Sequence, residues 1–301
     1  MKTTAKQFTS FGNISLVQLM SEQASEFIFT PGGPEMKKGG LVITEANEGG
    51  VVGNLVAINN TGSYLLLTDA DVLVGAKQNR IINKSLLLAP NSKTLIDVSC
   101  IERLRWKYNE KNFSNPGSSA DHNLRKAKAA SMSRMNKEGS EMTYGTQQEV
   151  WSHINSRIME ENFDAKTESY HDLAMHHFNT RAVEFPVCEP EAGCNGIAVM
   201  ADGMVQCIDL FGSEEGYNYY FPLLRDSAFR TAINGEKTKS AEIHEAYFKV
   251  LDALDNLETA ERKADDQYRG AGKLSMAEGE SLIGFELSMN SQPVHFAVFM
   301  K

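Results

Sequence analysis

Residues 51–67 read VVGNLVAINNTGSYLLL, in which two short apolar runs, Val51–Ile58 and Ser63–Leu67, flank the turn sequence Asn59-Asn-Thr-Gly62. Short runs rich in Val, Ile and Leu, bounded by Asn and Gly clusters, are typical of strands joined by tight turns. The same pattern of short apolar runs separated by turn residues continues on both sides of this stretch. It predicts further strands at Ile14–Met20, Leu41–Glu45, Arg80–Leu88 and Thr94–Ile101. The sequence therefore predicts an α+β fold whose N-terminal third is an antiparallel β-sandwich or curled sheet.

The rest of the chain is predicted to supply flanking helices and C-terminal strands. Apolar residues at helical spacing predict helices at Asp121–Asn136, Thr146–Asn162, Glu168–Phe178, Tyr219–Ile233 and Ala241–Lys263. A hairpin is expected around Asp202-Gly203, a strong turn dipeptide, and strands are expected at Ser281–Met289 and Val294–Met300. We expect one α+β domain over residues 1–301, and the best candidate for a sub-boundary is the polar loop 109–123.

Composition narrows the classes of function. The 301 residues carry a net charge of -9, which disfavours a nucleic-acid polymer as partner because such partners demand a basic face. The polar start Met1–Asn13 lacks a secretory signal, and no apolar run is long enough to cross a membrane. Four cysteines without a C-x-x-C pair predict reduced thiols, so we expect a cytoplasmic location without a membrane partner. No metal and no cofactor are predicted, and a homo-oligomer is left open.

Charge placement is the distinctive feature. Seven basic and two acidic residues lie between Lys77 and Lys107. Most of the charged residues in Asp121–Lys137 are again basic. Locally concentrated positive charge can focus an anionic ligand, Arg offers a bidentate fork to phosphate, and Trp106 offers a stacking surface to a planar base. The predicted site of a phosphorylated, nucleotide-like small molecule comprises Lys77, Gln78, Asn79, Arg80, Arg105 and Trp106. A solvated basic face is the competing interpretation.

A second candidate for chemistry is the pair Asp69 and Asp71. Alternate positions of a strand share a face, so the two carboxylates can do acid–base work together. If the protein is an enzyme, this pair beside Lys77 and Arg80 is the predicted reacting centre. A solvated strand end is the alternative.

Several of these segments together resemble a known family of bacteria and phages. The matching segments are Gly40-Leu-Val-Ile-Thr-Glu45, Thr68-Asp-Ala-Asp71, Leu73-Val-Gly-Ala-Lys-Gln-Asn-Arg80, Ile82-Asn83, Val98-Ser-Cys-Ile-Glu102, Arg105-Trp106, Gln147–Trp151 and His295-Phe-Ala-Val-Phe299. They span most of the chain and are similar to the ARPP-1 family, a domain of unknown function associated with ADP-ribosylglycohydrolases and rhodanese-type phosphatases. The chain departs from the family pattern at Asp69 and Asp71, which replace a more Gly-Glu-like turn, and at Leu104, where Gly is usual.

What the resemblance implies is a ligand class. The family's neighbours process ADP-ribose and related NAD-derived nucleotides, often in conflicts between bacteria and phages, which is an argument by association. We therefore expect the protein to bind an ADP-ribose-like or cyclic ADP-ribose-like signal, as a sensor or as a sponge that sequesters it. The alternatives are a hydrolase acting on the same ligand class and a protein–protein interaction module without a small ligand.

Overall fold

A computed structural model describes residues 3–22, 25–138, 142–181, 184–232 and 243–301. In chain order its elements are β1 (Thr3–Phe11), β2 (Ile14–Ser21), β3 (Thr30–Pro31), α1 (Gly32–Lys38), β4 (Leu41–Glu45), β5 (Asn54–Asn59), β6 (Leu65–Leu67), β7 (Val72–Gly75), β8 (Arg80–Ile82), β9 (Leu86–Leu88), β10 (Ser92–Cys100), β11 (Phe113–Ser114), α2 (His122–Glu138), α3 (Met142–Glu160), α4 (Tyr170–Arg181), β12 (Gly196–Ala201), β13 (Met204–Phe211), α5 (Glu214–Phe229), α6 (Ile243–Thr259), β14 (Glu261–Ala264), β15 (Lys273–Glu278), β16 (Leu282–Met289) and β17 (Gln292–Met300). Within these ranges, no helix has the length and apolar character that a membrane crossing requires.

Two compact units share these elements. Unit 1 comprises residues 1–28, 181–268 and 272–301, and unit 2 comprises residues 29–180 and 269–271. The loop 109–123 lies inside unit 2, where β11 pairs with β7 and the Ala120 amide donates to the Ala70 carbonyl at 2.9 Å. The prediction of a single domain over residues 1–301 stays a prediction.

Unit 1 is built on one antiparallel sheet that joins the two ends of the chain. Its eight strands follow the order β1-β2-β12-β13-β17-β16-β15-β14. One face buries apolar side chains of β2, β12, β13 and β17 against α6, whose inward stripe includes Ala246, Val250, Leu254 and Leu257. The amphipathic spacing of α6 thus supplies the apolar cover that a half-buried sheet needs.

Unit 2 holds the strand-rich segment. Its larger sheet has the order β11-β7-β8-β10-β5-β4, and a smaller one has the order β3-β6-β9. Apolar residues of β7 and β8, Val72 and Ile81 among them, pack with Leu124 of α2, Ile154 of α3 and Tyr170 of α4. The helices of residues 122–181 therefore cover the sheet that carries the basic segment.

The predicted fold class is confirmed, with an α+β chain, antiparallel strands in the N-terminal third, flanking helices and C-terminal strands. The strand predicted at Leu41–Glu45 has the same first and last residues in the structure. The hairpin around Asp202-Gly203 is present as β12 and β13. In the described residues of the N-terminal third, the parallel pairing is confined to β3 with β6.

Local patterns failed where pairing is long-range or where a turn interrupts an apolar run. Ile14–Met20 forms β2, which pairs with β1 and with the distant strand β12, not with any of the other strands predicted in the N-terminal third. Arg80–Leu88 is not one strand, because residues 83–85 bend between β8 and β9 and the two strands join different sheets. The polar segment Thr3–Phe11 forms the edge strand β1, which lacks the apolar run by which strands are recognised.

The last two predicted helices also differ at their ends. The helix predicted at Tyr219–Ile233 begins earlier, at Glu214, and ends at Phe229, while Ile233 lies outside the described residues. The helix predicted at Ala241–Lys263 ends at Thr259, because Glu261–Ala264 pairs with β15 as an exposed edge strand. Its predicted first two residues, 241–242, are likewise not described.

Gly284 in the centre of the unit 1 sheet provides a test of this packing. A Cβ at this position would lie 2.2 Å from the Ala297 carbonyl oxygen, so Gly284→Ala must push β16 away from β17. We expect a loss of about 3 kcal/mol in the free energy of unfolding, measured by urea titration with circular dichroism. The matched control is Gly279→Ala, whose Cβ would make only ordinary contacts at 3.4 Å or more. Equal stabilities of the two variants would contradict the strand packing described.

Candidate functional site

The predicted site begins at the turn that joins β7 to β8. Gly75 has φ +124° and Ala76 has φ 40°, and a Cβ on Gly75 would lie 2.7 Å from the Asn112 carbonyl oxygen. Only glycine fits this combination of positive φ and close backbone approach. The turn displays Lys77, Gln78 and Asn79 next to Arg80, the first residue of β8.

An ion pair holds this turn in place. Arg105 binds Glu102 through Nε at 2.8 Å and through Nη2 at 2.7 Å, and both residues are buried. The other Arg105 N–H groups donate to the carbonyls of Gly75, Ala76 and Lys107 and to the Asn79 side chain. All three guanidinium nitrogens thus have acceptors within the protein, so Arg105 positions the turn.

Asn79 and Glu102 add further hydrogen bonds that hold the same turn. The Asn79 backbone N–H donates to Glu102 Oε2 at 3.1 Å, and the Gly75 N–H donates to Asn79 Oδ1 at 3.1 Å. Burial by itself raises the pKa of Glu102, but the hydrogen bonds from Arg105 and from Asn79 outweigh it and hold the pKa below its ordinary value. The carboxylate is therefore ionised at neutral pH and paired with Arg105.

Arg80 differs from Arg105 in the completeness of its hydrogen bonding. Its Nη1 donates to the Gln78 carbonyl at 3.1 Å and to the Gln78 side chain at 3.2 Å, whereas its buried Nε and Nη2 find no hydrogen-bond partner among the residues that the structure describes. Glu45 Oε1 lies 4.0 Å from Nη2, and Glu45 Oε2 also lacks a partner. Arg80 is fully buried, and this burial lowers the pKa of its guanidinium.

Lys77 and two aromatic rings form the outer layer. Lys77 Nζ lies 5.5 Å from the Trp106 ring centroid and 5.2 Å from that of Tyr108, and it donates to the Glu48 and Gly49 carbonyls. The Arg80 guanidinium carbon lies 5.8 Å from the Trp106 centroid. Trp106 is 47% exposed and Tyr108 is 49% exposed. A half-exposed aromatic surface thus lies beside a buried cation.

The structure therefore brings together all the residues of the predicted ligand site, and it divides them into two kinds. Gln78, Asn79 and Arg105 are buried and tied into internal hydrogen bonds. Lys77, Arg80 and Trp106 keep donors or ring surface that the protein does not fully use. Whether they bind a ligand stays a prediction.

Asp69 and Asp71 make hydrogen bonds with other parts of unit 2. Asp69 accepts from Arg125 through both carboxylate oxygens at 2.9 Å, and Asp71 accepts from Thr68 and from the Asn115 side chain. Both aspartates are buried. These contacts attach the start of α2 and the 109–123 loop to the end of β6, and a catalytic role for the pair stays a prediction.

Most of the basic residues counted in the sequence are paired where they stand. Lys84 lies 3.8 Å from Asp97, Arg103 lies 3.4 Å from Glu168, and Lys128 donates to the Asp69 and Ile82 carbonyls. The positive charge left for a ligand is therefore smaller and more local than composition suggests.

Sequence reasoning missed Glu45, Cys100 and Tyr108. The Cys100 Sγ–H donates to Gln78 Oε1 at 3.1 Å, and burial raises the pKa of this thiol to about 11. Glu45 comes from β4, far away in the chain, and only the strand pairing brings it near Arg80. The signals available in the sequence were the position of Tyr108, two residues after Trp106, and the presence of Glu45 and Cys100 in segments that resemble the family.

The two arginines on either side of Leu104 provide a matched pair of variants. Arg105→Met leaves the buried Glu102 carboxylate without its positively charged partner. We therefore expect a loss of about 3–5 kcal/mol in the free energy of unfolding. Arg103 is half-exposed, and we expect Arg103→Met to cost less than about 1 kcal/mol. Both tryptophans, Trp106 and Trp151, belong to unit 2, so urea titration followed by tryptophan fluorescence reports on this unit. Equal losses in the free energy of unfolding for the two variants would show that the Arg105–Glu102 ion pair does not hold the turn.

Comparison with known proteins identifies a family for the chain. No curated protein and no solved structure matches the chain. The family described as the ARG and Rhodanese-Phosphatase-superfamily-associated Protein domain, ARPP-1, matches residues 2–299 and so extends over both compact units. The chain belongs to the ARPP-1 family.

Proposed function

We propose that the protein binds an anionic, NAD-derived nucleotide, ADP-ribose-like or cyclic ADP-ribose-like, and acts as a sensor or sponge in conflicts between bacteria and phages. The observation that carries the proposal is the buried Arg80 guanidinium, whose Nε and Nη2 find no acceptor in the described part of the chain and which lies beside the half-exposed ring of Trp106. The ligand class itself rests on the family's association with ADP-ribose enzymes.

Energetics support an acceptor from outside the protein. A buried polar group without a hydrogen bond costs about 1–3 kcal/mol, and a charged group costs more. Glu45 does not remove this cost, because its closest approach to the guanidinium is 4.0 Å. A phosphate has several oxygens and a negative charge, so it can satisfy Nε and Nη2 together in bidentate form.

The base of the ligand would stack on Trp106 or Tyr108. Stacking of a base on an aromatic side chain contributes about 1–3 kcal/mol and tolerates different bases. Arg80 is buried and its guanidinium carbon lies 5.8 Å from the Trp106 centroid, so we expect the indole to shift when an oxygen of the ligand reaches Arg80. Phosphate contact and base stacking would therefore be coupled, which favours ligands that carry both groups.

A small anion suits this surface better than a polymer. Lys84, Arg103 and Arg125 already face carboxylates, so part of the positive charge of the basic segments is neutralised within the protein. The backbone of a long nucleic acid would also meet the rest of a chain with net charge -9.

Binding is preferred over hydrolysis on the chemistry of the nearby groups. The Cys100 thiol stays protonated at neutral pH, since its pKa is raised to about 11. The carboxylates of Asp69 and Asp71 are buried and hydrogen-bonded within the fold. These groups are poorly placed to attack a ligand that sits at Trp106.

Calorimetry with ADP-ribose and cyclic ADP-ribose tests the binding site. We expect Trp106→Ala to weaken binding about tenfold or more, because it removes the stacking surface, and Trp106→Phe to retain most of the affinity. Lys263→Ala, at an exposed lysine of β14, is the control and should bind as the unaltered protein does. If folded, ligand-free protein gives neither heat nor a thermal shift with either nucleotide, the interaction-module alternative survives and the binding proposal fails.

The fate of the ligand separates a binder from a hydrolase. Protein is incubated with ADP-ribose, denatured, and the released nucleotide is identified by mass spectrometry. We expect intact ADP-ribose in the amount bound. A product that appears with the unaltered protein but is lost with Trp106→Ala would instead establish the hydrolase alternative.

A further inference from the structure

Unit 1 contains a cavity that the nucleotide proposal does not use. Its volume is about 190 Å³, and its lining comes from the sheet and from the end of α6. An apolar cavity of about 150 Å³ is large enough to admit benzene, so this one accepts a ligand with a single ring and a short substituent.

The uncharged part of the lining combines apolar side chains with Ser21, Asn195 and a histidine backed by a carboxylate. Phe211, Leu287 and Phe296 provide apolar surface, and the His295 ring packs on Phe211 with centroids 4.6 Å apart. His295 Nε2 lies 3.3 Å from Asp209 Oδ1, and both side chains are 1% exposed. This wall suits an apolar ring and has a carboxylate immediately behind the imidazole.

The charged part of the lining is mainly acidic. Glu258 and Glu286 line the cavity, and Arg262 is the basic residue beside them. Arg262 Nε donates to Glu286 at 2.8 Å, and its Nη groups donate to the Leu257 and Ala260 carbonyls. Arg262 is thus engaged by the end of α6, where the helix dipole adds further negative potential.

We propose that this cavity binds a small organic cation, a primary ammonium on an aromatic or branched apolar body. The apolar part lies against Phe211, Leu287 and Phe296, and the ammonium lies near Glu258 and Glu286. An ammonium supplies three donors, and the Glu286 carboxylate can accept more hydrogen bonds than the one that Arg262 Nε donates to it. The proposal does not depend on nucleotide binding, because every lining residue belongs to unit 1.

Three probes of similar shape and different charge test the proposal on the full chain. Benzylamine, benzyl alcohol and benzoate are titrated near neutral pH and followed by saturation-transfer NMR and calorimetry. We expect benzylamine to bind about tenfold more tightly than benzyl alcohol, a difference of about 1.4 kcal/mol, and benzoate to bind most weakly. Equal affinities, a preference for benzoate, or no binding of benzylamine would each overturn the proposal.

Variants and a local reporter tie the binding to this cavity. Glu286→Gln should weaken benzylamine about fivefold while leaving benzyl alcohol unchanged, because only the charged probe uses the carboxylate. Glu261→Gln, at an exposed position of β14, is the matched control. The imidazole NMR signals of His295 should shift with benzylamine, while those of the exposed His244 on α6 should not. Benzylamine binding that leaves His295 unshifted would place the ligand elsewhere and refute the assignment.

Discussion

The buried ion pair between Arg105 and Glu102 is the interaction on which the candidate site in unit 2 depends. It joins the loop after β10 to the turn before β8, and its remaining donors bind the backbone of that same turn. A buried ion pair contributes little net stability over an apolar replacement, but breaking it leaves an uncompensated charge. Its value here is positional, because Lys77 and Arg80 stand on a turn that the pair holds rigid.

Arg80 is unusual among the buried cations of this unit. Asp69 binds the Arg125 guanidinium through both oxygens, and the Lys128 ammonium donates to two carbonyls. Burial lowers the pKa of Lys128 to about 7, so even this well-bonded group is held at a cost. Arg80 is likewise buried, two of its nitrogens find no hydrogen-bond partner among the described residues, and the half-exposed ring of Trp106 lies 5.8 Å from its guanidinium carbon. A buried guanidinium whose hydrogen bonding would be completed by an anion fits a binding site better than a structural core.

How much the sequence could predict depended on whether the signal was local. Alternation and turn residues located β4 and the hairpin at Asp202-Gly203, because strand and turn preferences act between neighbours in the chain. The pairing of β2 with β12 was not predictable in this way, since it joins residues far apart in the chain. The charge count near Lys77 identified residues that the fold does bring together, but it could not show that Glu102 neutralises Arg105, because composition does not reveal ion pairing. Glu45, which limits what Arg80 can bind, became visible only through the fold.

The most direct test of the central claim is a crystal structure of the protein grown with ADP-ribose. We expect a phosphate oxygen within hydrogen-bonding distance of Arg80 Nε and Nη2, an adenine ring stacked on Trp106 or Tyr108, and an unchanged Arg105–Glu102 pair. A structure in which ADP-ribose is bound elsewhere, or in which Glu45 closes onto Arg80 and the indole keeps its position, would contradict it.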